Sequence, residues 1–244
     1  MRRVLVFACA VALVIAVGVR ADAAAPQQVR VLFLGNSLTA TNDLPATVEA
    51  FARTANRIRV ETRMVAPGGV NLEDHWNFTG ARQALEDGPW DVVVLQQGPS
   101  ALPESQVDLR TWAQRWADEI RAHGAKPALL TVWPESYRQW ALRDVIRSYG
   151  GAAYASHAAV FPAGVAWQRA WNRNPRLPLY GPDGFHPTTT GSYLAALTIY
   201  AGLTGASPVG LPRTLRLRNG RTLDLDAAVT FTLQSAAEEA VAAR

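Results

Sequence analysis

The sequence predicts an α/β domain, a three-layer α/β/α sandwich around a central, mainly parallel sheet, and two observations predict it. Short runs rich in Val, Leu and Ile occur at Val31 to Leu34, Ile58 to Val65, Asp91 to Leu95 and Pro127 to Val132. The first, third and fourth lack the alternation of a half-exposed strand, as strands buried on both faces do. Helical patterns separate them, and strand, helix, strand, helix is what crossover helices on both faces of a parallel sheet produce. Catalytic groups in such a sheet gather at the carboxyl ends of the strands. With 244 residues, 49% hydrophobic and 18% charged, the chain has apolar material for one sizeable core. No repeat or long linker divides it, so 24–244 read as one domain.

In chain order, Arg2 and Arg3, the apolar run Val4 to Val19, Arg20 and the small-residue site Ala21-Asp22-Ala23 read as a secretory signal over residues 1–23. The run falls short of the ~20 residues that span a bilayer. The expectation is therefore a secreted or periplasmic protein with no stable membrane anchor after cleavage. Cys9, the single cysteine, leaves with the signal. After the first strand, a helix is expected over Leu44 to Ala55, entered through Thr41, Asn42 and Asp43 and carrying Pro45 in its first turn. Leu109, Trp112, Trp116 and Ile120 recur at three- and four-residue steps, one face of a long helix ending near His123-Gly124. Another helix is expected from Tyr137 to Tyr149, stopping before Gly150-Gly151. Ala159 to Pro162 reads as a short fifth strand, and Thr188 to Leu203 as a helix. The tail differs: Thr214 to Arg218 and Arg221 to Leu225 alternate around Asn219-Gly220, a type I′ hairpin signal, and an Ala-rich helix follows.

Composition excludes several functions. Loss of three arginines and one aspartate with the signal lowers the formal charge from +4 to +2, and the basic residues form no run, so nucleic acid is not an expected partner. Four His without a His-x-x-x-His pair, and no cysteine after cleavage, point to no metal. No organic cofactor is expected either: a Gly-x-Gly-x-x-Gly is missing, and the absence of a Gly-x-Ser-x-Gly elbow argues against the larger α/β-hydrolase fold.

Two stretches could carry chemistry. Val31 to Leu34 runs straight into Gly35-Asn36-Ser37, which puts a serine in the turn at a strand's carboxyl end, where a base could activate it. Far down the chain, Tyr180-Gly181-Pro182-Asp183-Gly184-Phe185-His186-Pro187 places Asp183 and His186 three apart on a Gly/Pro-rich turn. The carboxylate can then hold one ring nitrogen and leave the other to take a serine proton.

At these residues the sequence resembles the SGNH, or GDSL-type, hydrolases, esterases and lipases of a compact, flavodoxin-like α/β/α fold. Gly35-Asn36-Ser37-Leu38 is similar to the first block, with Asn in place of the usual Asp. Gly68-Gly69-Val70-Asn71-Leu72 resembles the second, and Asp183-Gly184-Phe185-His186 the last. The resemblance implies Ser37 as nucleophile, His186 as base and Asp183 as its partner. It implies an oxyanion hole from the N–H groups of Ser37 and Gly69. The third block departs: where the family has Gly-x-Asn, this chain has Gln96-Gln97-Gly98-Pro99-Ser100, and Gln97 is ranked ahead of Ser100 and Gln96 as the third donor. Asn71, His75, Trp76 and Trp133 are candidates for contacting substrate; the alternatives are a competing base or a structural or solvated histidine for His75 and core packing for the two tryptophans. The function implied is hydrolysis of a small acyl ester, an O-acetylated carbohydrate foremost. An acyltransferase or a non-catalytic carbohydrate-binding module on the same fold are the alternatives. The sequence carries no signature of oligomeric state.

Overall fold

The computed structural model describes residues 27–55 and 58–243; the signal expected at 1–23 lies outside them. Five strands, β1 (Gln27–Leu34), β2 (Ile58–Val65), β3 (Val92–Leu95), β4 (Lys126–Leu130) and β5 (Ala159–Phe161), form one parallel sheet in the order β2-β1-β3-β4-β5. The apolar ends of the central strands, Val31 to Leu34, Val93 to Leu95 and Ala128 to Leu130, are buried, which is why they read as continuous apolar runs.

Nine α-helices surround the sheet: α1 (Ser37–Ala40), α2 (Leu44–Ala55), α3 (Leu72–Asn77), α4 (Ala81–Glu86), α5 (Pro103–Ala122), α6 (Leu142–Ser156), α7 (Ala163–Arg173), α8 (Thr189–Thr204) and α9 (Ala227–Ala242) among the described residues. One layer gathers α2, α7, α8 and α9, and the other α3 to α6, completing the three-layer sandwich. Helix α8 is buried on every side from Gly191 to Ala201, as a helix apolar all round must be, because α2, α7 and α9 all pack on it. No described helix is long and apolar enough to cross a membrane.

The sheet order positions the site. The chain leaves β1 for β2 on one side and returns to β3 on the other, so the connections from β1 and β3 diverge and open a crevice at their carboxyl ends. Ser37 follows β1 there, and Gln96-Gln97 follows β3.

Two expected elements are corrected. The helix expected from Tyr137 to Tyr149 begins as a 3₁₀ helix, Ser136–Ala141, and α6 then runs through Gly150-Gly151 to Ser156. Glycine costs about 1 kcal/mol per interior position relative to Ala. The buried face of Val145, Tyr149, Ala152 and Ala153 offsets that cost, and the helix stops only at His157, with φ 49°. The hairpin is β6 (Thr214–Arg216) with β7 (Thr222–Asp224), and its turn is not type I′. That turn needs positive φ at both central residues, but only Gly220 has it, at 83°. The Gly220 N–H donates to Leu217 O and the Leu217 N–H to Arg221 O, which closes a three-residue loop instead.

Candidate active site

Ser37 is the first residue of α1, directly beyond β1. Gly35 must be glycine: a Cβ there would lie 2.5 Å from Thr39 Oγ1 and 2.7 Å from Gln96 Oε1. Asn36 caps the helix, its Oδ1 accepting from the Leu38 N–H at 3.1 Å. The Ser37 N–H has no partner among the described residues, and its hydroxyl donates to His186 Nε2 at 2.9 Å.

His186 comes from a loop pinched by a bridge between Tyr180 and Pro187. Both oxygens of Asp183 are engaged: Oδ1 accepts the N–H groups of Phe185 and His186 at 3.0 Å each, and Oδ2 accepts from His186 Nδ1 at 2.5 Å. The bond from the His186 ring, joined by the Phe185 N–H, lowers the Asp183 pKa to about 2. With the proton on Nδ1 and donated to the ionised carboxylate, Nε2 offers its lone pair to Ser37, the tautomer a base needs.

Ser37 and His186 stand 149 residues apart in sequence, and other groups hold them in register. Asn42, in the left-handed region at φ 62°, donates through Nδ2 to Pro187 O at 2.9 Å and to Ser192 Oγ at 3.0 Å. From beyond β4, the Ser136 N–H donates to Gly184 O at 2.7 Å and Trp133 Nε1 to Phe185 O at 3.1 Å.

The loop before α3 forms the second wall. Gly69 has φ +78°, a conformation that favours glycine, and its N–H has no partner among the described residues. Asn36 Nδ2 donates to Val70 O at 3.2 Å and docks this loop on the Ser37 turn. Ser37, Gly69, Asn71, Gln97, Ser100 and Phe185 line one cleft of about 540 Å³, with Glu104, Ser105 and Asp108 on its α5 side.

The candidate donors after β3 have other partners. Gln96 is buried; its Oε1 accepts from the Asn36 N–H at 2.9 Å and Thr39 Oγ1 at 2.8 Å, while its Nε2 donates to Asn36 Oδ1 at 3.0 Å and Gln97 O at 2.8 Å. Both of its amide hydrogens are spent, so Gln96 builds the turn that carries Ser37 and has no hydrogen left to offer an oxyanion. Gln97 accepts from the Leu72 N–H at 3.1 Å and donates to Asp108 at 2.9 Å. Its peptide is held by Tyr149, whose hydroxyl accepts from the Gln97 N–H at 3.0 Å and donates to Gln97 O. Ser100 Oγ pairs with Ser105 Oγ at 2.7 Å.

Three expected substrate contacts are corrected. His75 is fully buried, with Nε2 on Gly35 O at 2.7 Å and Nδ1 on Thr79 Oγ1 at 3.0 Å, and burial pushes its pKa down. It donates to the backbone that carries Ser37 and does not line the cleft. Trp133 is buried and stacks on Trp167 with centroids 3.6 Å apart, in the core behind the His186 loop. Trp76 packs edge-on against Trp116 at 5.1 Å and under Arg115 at 4.3 Å, away from the cleft. Asn71 does reach the cleft. Asn42 is expected from the sequence only at the entry to α2, because its bonds to Pro187 and Ser192 depend on α8 lying beside the Ser37 turn. Among the described residues no group of three or more His, Cys, Asp or Glu is placed to hold a metal ion.

No protein-family model matches the chain, and no curated protein matches it. Solved structures do. A protein described as a candidate SGNH hydrolase from Slackia heliotrinireducens is 26% identical, with a TM-score of 0.62 over 72% of this chain and 100% of that one. A DUF4886 family protein from Bacteroides uniformis is 20% identical, with a TM-score of 0.71 over 88% of this chain and 95% of that one. An acetyl xylan esterase is 14% identical, with a TM-score of 0.56 over 71% of this chain and 98% of that one.

Proposed function

The chain has an SGNH/GDSL-type fold, and on it we propose an exported serine ester hydrolase that removes small acyl groups, acetyl foremost, from a carbohydrate or another small ester. The carrying observation is the hydrogen-bonded line from Ser37 Oγ through His186 to Asp183, with links of 2.9 and 2.5 Å. Hydroxyl to Nε2, and Nδ1 to a carboxylate held by two further N–H groups, is the arrangement in which serine becomes a nucleophile near neutral pH.

In this reading Ser37 Oγ attacks the ester carbonyl as its proton passes to His186 Nε2. The imidazolium so formed is stabilised by Asp183, which stays ionised. The negative charge on the former carbonyl oxygen falls to the unpaired N–H groups of Ser37 and Gly69. His186 then returns the proton to the departing alcohol oxygen as the C–O bond breaks. Water, losing a proton to the same nitrogen, attacks the acyl-serine; the Ser37 oxygen leaves with that proton, and the acid is released.

The side chains of Asn71, Gln97, Ser100, Glu104, Ser105 and Asp108 line the cleft beside Val70 and Phe185, a mixed surface that suits a small acyl group on an alcohol with both polar and apolar parts. The solved acetyl xylan esterase is a likeness of fold alone. The test is hydrolysis of para-nitrophenyl acetate by the wild type beside Ser37→Ala and His186→Ala. The reading expects both variants to keep their melting temperature and lose activity to background. Equal rates in all three proteins would refute it, and a rate rising steadily from acetyl to decanoyl esters would replace the small-acyl substrate with a lipid.

A further inference from the structure

We propose that Asn71 is a catalytic residue: its side-chain Nδ2 donates to the oxyanion formed on the substrate carbonyl, beside the N–H groups of Ser37 and Gly69. The inference rests on the serine-hydrolase reading and adds a side-chain donor from the second wall of the cleft, where the side chains after β3 are held by other partners. Gln96 has spent both amide hydrogens on Asn36 Oδ1 and Gln97 O. Gln97 commits its oxygen to the Leu72 N–H and one of its two amide hydrogens to Asp108, which ties the side chain at both ends. Ser100 pairs with Ser105.

Asn71 is different. Its Oδ1 accepts from the Asp74 N–H at 2.8 Å while its own N–H donates to Asp74 Oδ2 at 2.9 Å, a reciprocal cap at the start of α3. Because the partner of the side chain is an N–H, the atom facing it must be oxygen, which assigns the amide orientation. The remaining atom, Nδ2, has no partner among the described residues, and Asn71 lines the same cleft as Ser37 and Gly69. The bond from Asn36 Nδ2 to Val70 O lays residues 36–37 beside 70–71, so the amide stands next to the nucleophile turn. An amide held rigid by its oxygen and unspent at its nitrogen is a preorganised donor, the kind that favours developing charge without reorganising.

The test uses Asn71→Ser, which keeps an oxygen acceptor at the cap, and Asn71→Gly, which keeps a residue tolerated there, so that neither depends on a damaged helix start. With para-nitrophenyl acetate, kcat should fall about 10²-fold in both, with KM within about threefold of wild type and the melting temperature retained. Affinity for a trifluoromethyl ketone, which adds Ser37 and carries the oxyanion, should fall with kcat. Affinity for the non-reacting alcohol analogue should not move. If both variants keep kcat and ketone affinity within about threefold while Ser37→Ala is inactive, Asn71 is no donor, and the Gly98 N–H, which lies on the same cleft and has no partner among the described residues, takes its place. If Ser37→Ala is as active as wild type, the serine-hydrolase reading itself fails.

Discussion

Asn36 donates through Nδ2 to Val70 O and accepts through Oδ1 from the Leu38 N–H and Gln96 Nε2, a set that an amide satisfies and a carboxylate does not. Asn36→Asp would set an anionic oxygen against the Val70 carbonyl. Loss of a buried bond with an unmatched acceptor costs about 1–3 kcal/mol, so the melting temperature should drop by roughly 2–12 °C at about 2–4 °C per kcal/mol, with kcat falling alongside. An unchanged melting curve in differential scanning calorimetry would contradict this role. Asp183 presents the opposite chemistry. With its pKa lowered to about 2 by His186 and the Phe185 N–H, its ionic contact is present above the ordinary value near 3.9 and is lost as pH falls toward 2. Asp183 should therefore add no break of its own to the kcat/KM profile above about pH 5. Asp183→Asn should lower kcat by up to about 10⁴-fold, as loss of the tautomer does in serine triads. Ser37, Asp183 and His186 were legible in the sequence because each motif is local. The work of Gln96 was not: its contacts with Asn36 exist only because β1 and β3 pair and bring residues 60 apart together.

Helix α3 holds the Ser37 turn directly, and the C-terminal hairpin supports the segment that follows it. His75, on α3, donates from Nε2 to Gly35 O, and burial depresses its pKa. The unfolded chain then binds more protons than the native one below the ordinary histidine value near 6.5, so stability falls as pH drops through that value. Thermal melts from pH 8 to 5 should show this slope in the wild type and a shallower one in His75→Gln. At the hairpin tip, Arg218 reaches Glu49 at 2.8 Å and Asp43 at 3.5 Å, and Asn219 Nδ2 reaches Asp43 at 3.3 Å. Asp43 adjoins Asn42, which braces the His186 loop, so the hairpin supports the site at one remove. Trp133 supports it from the other side through Trp167 and Phe185. Trp133→Ala should cost about 3–5 kcal/mol, roughly 6–20 °C in melting temperature. The strand runs and α2 were legible from burial and capping. The passage of α6 through Gly150-Gly151 was not, because local propensity counts against it and only the packing of Val145, Tyr149 and Ala152 decides it.

The whole molecule is a parallel sheet whose order, β2-β1-β3-β4-β5, opens a crevice where β1 and β3 diverge. That order explains why a serine after the first strand, an amide pair after the third and a histidine loop near residue 186 meet at one end. The layered fold was legible because burial on both faces leaves a continuous apolar signature. The cleft was less so, since its α5 wall of Glu104, Ser105 and Asp108 carries no motif. The central claim is that this convergence makes Ser37 a nucleophile, and covalent trapping measures it most directly. After incubation with a fluorophosphonate, intact mass and peptide mapping should show one adduct, on Ser37, formed in the wild type and absent from Ser37→Ala, with its rate strongly reduced in His186→Ala. No adduct on the folded wild type, or an adduct on another residue that persists in Ser37→Ala, would contradict the account.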